Sequence, residues 1–369
     1  MRVLFWVPAY PRVDDPSPFP FVETRVRCYA QAGVEVAVQV LGTCGEGHRG
    51  EVRVFEDPPS RWNQRVTEWR PDVVAIHYPI PLMRVALREL QVPAVVWLHG
   101  QEALWSFRYE RQRRWVADLA KRVRTIPRVV RQILWLRRQL GRRGDPIVTV
   151  SNWLRTRVLS NLGVSPDRVH VIPNPIDTDR FSPVRRENGV SGGVSMRSLS
   201  KRVYGFDLAI KALAGVAPSQ ARLTIIGDGV ELNRYRRLAR RMRSPVEFDP
   251  RWVPNAALPK VFAGFGVYSN TAHRETHGVT MCEAMATGMP VVAQCVAGIP
   301  EYVRDGEDGY LVTPHDLRAF RDRFIELAED PIRRRRMGEA ATEHVRSQCS
   351  ARLVAESELK VLESACAGS

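Results

Sequence analysis

The sequence predicts an α/β protein of two domains, each a parallel sheet with helices on both faces. Three observations carry this. Short apolar runs alternate with helix-like segments along most of the chain. The alternation restarts after a polar, glycine-rich stretch at 182–193, SPVRRENGVSGG. The chain also has 369 residues, 44% of them hydrophobic, which is too long for one core of usual size.

In order, RVLFWVPAY reads as a strand, Val22 to Gly33 as a helix that stops on glycine, and VEVAVQVL as a second strand. WRPDVVAIHY and VPAVVWLHG are short apolar runs that each follow a proline and contain one histidine, His77 and His99. PIVTVSN and VHVIPNPID complete the first half. In the second half, Val194 to Met196 reads as a strand, FDLAIKALAGVA as a helix and ARLTIIGDG as a strand ending in glycines. VEFD, FGVYSN, PVVAQC and GYLV follow as strands. The expected domains are 1–182 and 183–350, with 351–369 a C-terminal helix returning to the first domain.

One region breaks the rhythm. Leu104 to Asp145 holds twelve arginines and one lysine against three acids, with Trp105, Trp115 and Trp135 interleaved. Trp115, Leu119 and Val123 fall at helical spacing, and after Pro127 so do Val130, Ile133 and Leu134. The pattern predicts a basic insert, 104–145, of two amphipathic helices. The formal charge of +15 and the isoelectric point near 10.1 point to an anionic partner. The six cysteines (Cys28, Cys44, Cys282, Cys295, Cys349 and Cys366) show no metal-ligand spacing, and a reducing cytoplasm is the simplest home. No window reaches the 18 apolar residues of a membrane-spanning helix, and the N-terminus is broken by proline and acid too early for a signal peptide.

The stretch ETHGVTMCEAMATGMPVVA, residues 275–293, carries the chemistry. Gly278 precedes a short helix that stops at Gly288. A helix start behind a glycine turn offers free N–H groups and a positive dipole end to a phosphate. Glu283 falls about one turn into the helix, where its carboxylate can bind a pair of hydroxyls such as a ribose offers. Glu275 sits before the turn and reaches a second hydroxylated group. Ribose, phosphate and sugar together make a nucleotide-sugar.

This stretch resembles the glutamate–seven–glutamate motif of retaining glycosyltransferases of family 4. AGIPEYVRDGEDGYLV, ARLTIIGDGVEL and the segment from Val148 to Phe181 resemble other family segments. The resemblance implies the GT-B fold, two Rossmann-like domains with parallel sheets facing a central cleft. It implies a hexosyltransferase that takes a nucleoside-diphosphate sugar and retains configuration. By position, Glu283 matches the glutamate that binds ribose and Glu275 the one that contacts the donor sugar. The N–H groups of Gly278, Val279 and Thr280 match the loop that holds sugar and phosphate. In SMRSLSKRVYGFD, Arg197 matches a phosphate-binding arginine, and Lys201 or Arg202 the lysine that accompanies it. His99 resembles a histidine that faces the donor sugar, whereas His77 is read as structural. Backbone groups around Arg251 to Val253 are expected to read the base. The family's glycine-rich N-terminal loop is replaced here by DDPSPFPFVE, whose side chains are expected to shape the acceptor pocket. His277 stands where the family has an aromatic, and it either fills that place or touches the donor.

Asp177-Thr178-Asp179 spells a metal-binding triplet of a different glycosyltransferase fold, but its place in a turn favours helix capping. No metal and no further cofactor is expected. In the family scheme the departing phosphate takes the acceptor proton, so no protein base is required, unlike the two-carboxylate glycosidase scheme. The basic segment 104–143 reads as a binder of an anionic membrane surface. The expected partners are a nucleotide-sugar donor, a glycan or lipid-linked acceptor and the membrane, with no nucleic acid. The expected location is the cytoplasm, at the inner face of the plasma membrane. A soluble small-molecule acceptor, a GT-B phosphorylase or epimerase, and a basic nucleic-acid-binding protein stay open as alternatives.

Overall fold

The structure, a computed structural model, describes residues 1–11, 19–42, 45–100, 102–104, 115–186 and 192–368, with the side chains of 115–125 outside that set. Much of the DDPSPFPFVE loop, and 105–114 of the basic segment, lie outside the described residues. The chain forms two compact units. The first is Met1–Pro175 with Ala351–Ser369, and the second is Ile176–Ser350.

The first unit runs β1 (Arg2–Val7), α1 (Pro20–Gln31), β2 (Glu35–Leu41), β3 (Gly45–Arg49), β4 (Val52–Asp57), α2 (Trp62–Trp69), β5 (Val73–His77), α3 (Arg84–Glu89), β6 (Ala94–Leu98), α4 (Trp115–Arg143), β7 (Ile147–Thr149), α5 (Asn152–Leu162) and β8 (Val169–Val171). Its sheet has the order β3-β4-β2-β1-β5-β6-β7-β8. All neighbours are parallel except β3 and β4. The inner strands are mostly apolar because both faces are covered, with Gln39, His77 and Thr149 as buried polar exceptions. Trp6, Ile76 and Leu98 pack on one face with Trp62 and Leu140, while Phe5 and Trp97 pack on the other with Tyr29 and Leu362. The β3–β4 hairpin was not predicted. GEGHR contains no apolar residue, and pairing with β4 makes it a strand at the sheet edge, where polar residues are tolerated.

The basic segment differs from its prediction. From Trp115 to Arg143 it is one helix that runs through Pro127 instead of two helices. A proline inside a helix removes one N–H donor. Downstream, packing holds the helix, with Ile133, Leu136 and Leu140 buried at spacings of three and four. Leu134, predicted on the buried stripe, is 51% exposed, because the 3.6-residue period turns it away from that row. Arg128, Arg131, Arg137, Arg138 and Arg142 are exposed. Arg143 is instead structural, donating to the Leu90 and Val92 carbonyls and pairing with Asp145 at 2.6 Å.

The C-terminal helix, Ala351–Ala367, packs in this unit through a buried polar cluster. The fully buried Glu358 carboxylate accepts from Arg25 Nε at 2.8 Å, Tyr29 Oη at 2.9 Å and Trp97 Nε1 at 2.8 Å. Arg25 also donates to Asn174 Oδ1 at 3.1 Å. Three donors on one carboxylate satisfy a charge that would otherwise be very costly to bury.

The second unit runs β9 (Gly193–Met196), α6 (Phe206–Ala212), β10 (Leu223–Ile226), α7 (Leu232–Met242), β11 (Val246–Asp249), α8 (Leu258–Phe262), β12 (Val267–Asn270), α9 (Val279–Ala286), β13 (Val291–Gln294), β14 (Gly309–Val312), α10 (Leu317–Glu329) and α11 (Pro331–Cys349). The C-terminal helix described above is then α12. The sheet is parallel, in the order β11-β10-β9-β12-β13-β14. The winding reverses between β9 and β12. In such sheets the crevice at the carboxyl ends of those strands is where ligands bind.

Candidate donor site at the switch point of the second unit

The two strands at the switch point deliver the residues singled out in the sequence. Arg197 is the first residue after β9, and the loop after β12 carries Glu275 and Gly278 before α9 begins. Arg197 donates to Glu275 Oε2 at 2.7 Å and to Thr280 Oγ1 at 2.8 Å, so its guanidinium lies over the first turn of α9. Its Cζ stands 5.7 Å from the Tyr204 ring centroid. Burial opposes the Arg197 charge, but Glu275, Tyr268 and Tyr204 more than offset this and hold its proton above the ordinary arginine range.

Glycines set this geometry. Gly278, at φ 88°, precedes α9 in the left-handed region, and no side chain caps the helix start. The first-turn N–H groups of α9 have no intrahelical acceptor, and in that same turn Thr280 Oγ1 accepts from Arg197. Gly227, at the end of β10, lets two backbones touch. A Cβ there would lie 2.1 Å from the Arg197 carbonyl oxygen, so only glycine allows the Arg197 loop to sit where it does.

Glu283 lies one turn into α9 and is 5% exposed. Its Oε1 accepts from Asn255 Nδ2 at 2.7 Å. Burial pushes its carboxyl up to about 7, against the hydrogen bond from Asn255 and the nearby Arg197. A carboxylate held this way is short of solvent and retains free acceptor capacity, as recognition of a diol requires.

The other predicted residues are placed as follows. Lys201 and Arg202 are exposed, and Arg202 pairs with Glu231 at 3.0 Å. Arg251 is exposed and pairs with Asp249 at 2.7 Å, while Val253 packs against the core below α9. His277 is 1% exposed, 4.2 Å from the Tyr302 ring, with Nε2 3.9 Å from Cys349 Sγ. It therefore fills the interior place of an aromatic. Asp177 accepts from the Arg180 N–H at 3.1 Å, which closes a turn, and no helix begins there for it to cap. Among the described residues, no group of three or more His, Cys, Asp and Glu is arranged to hold a metal ion.

His99 belongs to the first unit, just beyond β6. Its ring stacks on Tyr78 with centroids 4.3 Å apart, and its Nε2 is 3.2 Å from His77 Nδ1. Burial, with Arg25 and His99 nearby, holds His77 well below the usual histidine range, so it is a neutral core residue between Phe5 and Trp97. Glu102, not singled out in the sequence, accepts from the His99 and Gly100 N–H groups at 2.9 Å each and shapes this loop. Burial pushes its carboxyl up to about 7. Asn255 and Tyr204 were also missed as partners of Glu283 and Arg197. Tyr204 lies in the same SMRSLSKRVYGFD segment as Arg197, and Asn255 lies two residues past Val253, but neither residue type carries a signal by itself.

The paired α/β units place the protein first in a fold class. Over its whole length the chain superposes on sucrose-phosphate synthase from Thermosynechococcus elongatus with a TM-score of 0.82 at 17% identity, covering 100% of both chains. That likeness shows the GT-B fold. Two family models then match, Glycosyltransferase Family 4 over residues 21–180 and Glycosyl transferases group 1 over residues 194–344. The chain belongs to the family 4 type of glycosyltransferases. It is 29% identical over 247 residues to a GDP-mannose-dependent monoacylated alpha-(1-6)-phosphatidylinositol monomannoside mannosyltransferase of Corynebacterium glutamicum, covering 62% of this chain and 64% of that one. It is 30% identical over 221 residues to a D-inositol 3-phosphate glycosyltransferase of Corynebacterium aurimucosum, covering 54% and 52%. The alignments thus span between about half and two thirds of the length of these curated relatives.

Proposed function

We propose that the chain transfers a hexose, with retention, from a nucleoside-diphosphate sugar to an acceptor hydroxyl on a lipid-linked or cell-surface glycan. The observation that carries the reading is the convergence of Arg197, the uncapped start of α9 and the buried Glu283 at the switch point of the second unit. The diphosphate would lie against the helix start and Arg197, which would stabilise charge as it leaves. Glu283 would hold the ribose hydroxyls. Glu275 would hold the sugar, releasing Arg197 to the phosphates when the donor binds. The donor class is supported by the GDP-mannose dependence in the name of one relative.

A phosphatidylinositol mannoside in that same name supports a membrane acceptor. The exposed arginines of α4 supply a basic surface facing solvent, each contributing about 1 kcal/mol beside an anionic leaflet. Among the described residues, no helix is long and apolar enough to cross a membrane. The enzyme would work as a peripheral protein on the cytoplasmic face, without a metal. Flotation with anionic liposomes at low salt tests the membrane part. Co-flotation that is lost when Arg128, Arg131, Arg137 and Arg138 become glutamine supports it, and no flotation of the wild type sinks it. The inositol phosphate in the other relative's name supports a second reading, transfer to a soluble phosphorylated acceptor. Product formation on a soluble acceptor, with no flotation, would favour that.

A further inference from the structure

A second basic feature lies in the second unit and takes no part in the donor site. Helix α7, LNRYRRLARRM, presents Arg236 and Arg240 four residues apart on one face, with Arg243 one turn on. These three line a groove of about 620 Å³ between α7 and β11. Among the described residues, no carboxylate lies within ion-pair distance of any of the three. Neighbouring Arg234, by contrast, is paired with Glu231 at 3.1 Å. Arg243 ends the helix at φ 47°, the left-handed conformation of a helix C-cap, and this turns its side chain out of the helical row. The Ser244 hydroxyl beside it is buried without a hydrogen-bond partner among the described residues. Three guanidiniums without a carboxylate partner and a hydroxyl without a hydrogen-bond partner thus line one concavity among the described residues.

We propose that this groove is a phosphate-binding site separate from the donor site, with Arg236, Arg240 and Arg243 donating to one phosphate group and Ser244 completing the set. Planar guanidiniums match phosphate oxygens two at a time, so three can surround one such group. Glu247 lines the β11 wall of the same groove. Its carboxylate repels a second anionic group there, which disfavours a polynucleotide and favours a single phosphate with a neutral or hydroxylated remainder. β11 is the edge strand of its sheet, so the groove opens at the margin of the unit. An anionic lipid headgroup and a free phosphate ester offer the same chemistry.

The test compares wild type with the triple variant Arg236→Gln, Arg240→Gln, Arg243→Gln, using two probes. One probe is inorganic phosphate, followed by calorimetry. The other is vesicles of two parts phosphatidylcholine to one part phosphatidylglycerol, followed by flotation. The variant's melting curve and its nucleotide affinity, both expected unchanged, show that fold and donor site are intact. The single variant Arg240→Gln, at an exposed position, serves if the triple variant does not fold. Phosphate binding weakened about tenfold or more by the substitutions places a free phosphate ester in the groove. The same loss for vesicles alone places a lipid headgroup there. Equal binding of both probes by wild type and variant, or no binding of either by wild type, overturns the proposal. So does an RNA oligonucleotide that binds more tightly than both probes and is lost in the triple variant.

Discussion

On the proposed reading, Glu283 would make donor binding depend on pH. Its carboxyl is pushed up to about 7 by burial, with Asn255 its hydrogen-bond donor. If ribose hydroxyls donate to the carboxylate, only the ionised form binds well. A group titrating near 7 is about 3% ionised at about pH 5.5 and about 90% ionised at about pH 8. The donor affinity should therefore fall roughly 30-fold between those values, or about 2 kcal/mol. A nucleoside-diphosphate sugar has no group of its own that titrates in this window, which isolates the protein term. Calorimetry across the range measures it, and Glu283→Gln should flatten the profile. An affinity independent of pH in the wild type, or a slope that survives in Glu283→Gln, refutes the reasoning. The same shift acts on stability with the opposite preference. The folded chain holds this proton from about 4.5 to 7 where the unfolded chain has released it. The group's contribution is thus complete at low pH and is lost as pH rises through 7, by about 3 kcal/mol in all.

Three more outcomes are expected. Glu358→Ala leaves the Arg25 charge buried with no carboxylate partner among the described residues and should destabilise the first unit by about 3–5 kcal/mol in urea unfolding, whereas a loss under about 1 kcal/mol would contradict the buried pair. Glu275→Ala should lower kcat roughly ten- to a hundredfold while leaving nucleoside-diphosphate affinity within a few-fold, and the reverse pattern would reassign Glu275. Turnover should survive a chelator, and loss of activity restored by manganese would overturn the metal-free scheme.

Much of this organisation could be read from the sequence, for identifiable physical reasons. The inner strands are largely apolar on both faces, so β1, β5, β6 and β13 appear as short, nearly continuous apolar runs. Gly278 and the Ala/Met-rich run after it mark α9, because a left-handed turn selects glycine and short unbranched residues favour helix. What escaped depends on distant partners. β3 has no apolar signature and exists through β4. Pro127 signals a break that the packing of Ile133, Leu136 and Leu140 overrides. The ion pair of Arg197 with Glu275 joins residues 78 apart, and the link of Glu358 to Arg25 spans 333. No local pattern records such contacts. Lys201 and Arg202 show the same limit: their spacing left two candidates, and the structure gives Arg202 the carboxylate of Glu231.

In the proposed function the second unit would grip a nucleotide-sugar with Glu283 on the ribose and Arg197 on the diphosphate. The most direct test is calorimetric titration of the full chain, wild type and Glu283→Ala, with a panel of nucleoside-diphosphate sugars. One donor should bind saturably to the wild type and about 10–100-fold more weakly to the variant, the effect of removing a charged hydrogen-bond acceptor. Equal affinity of both proteins for the donor that binds would remove Glu283 from the ribose.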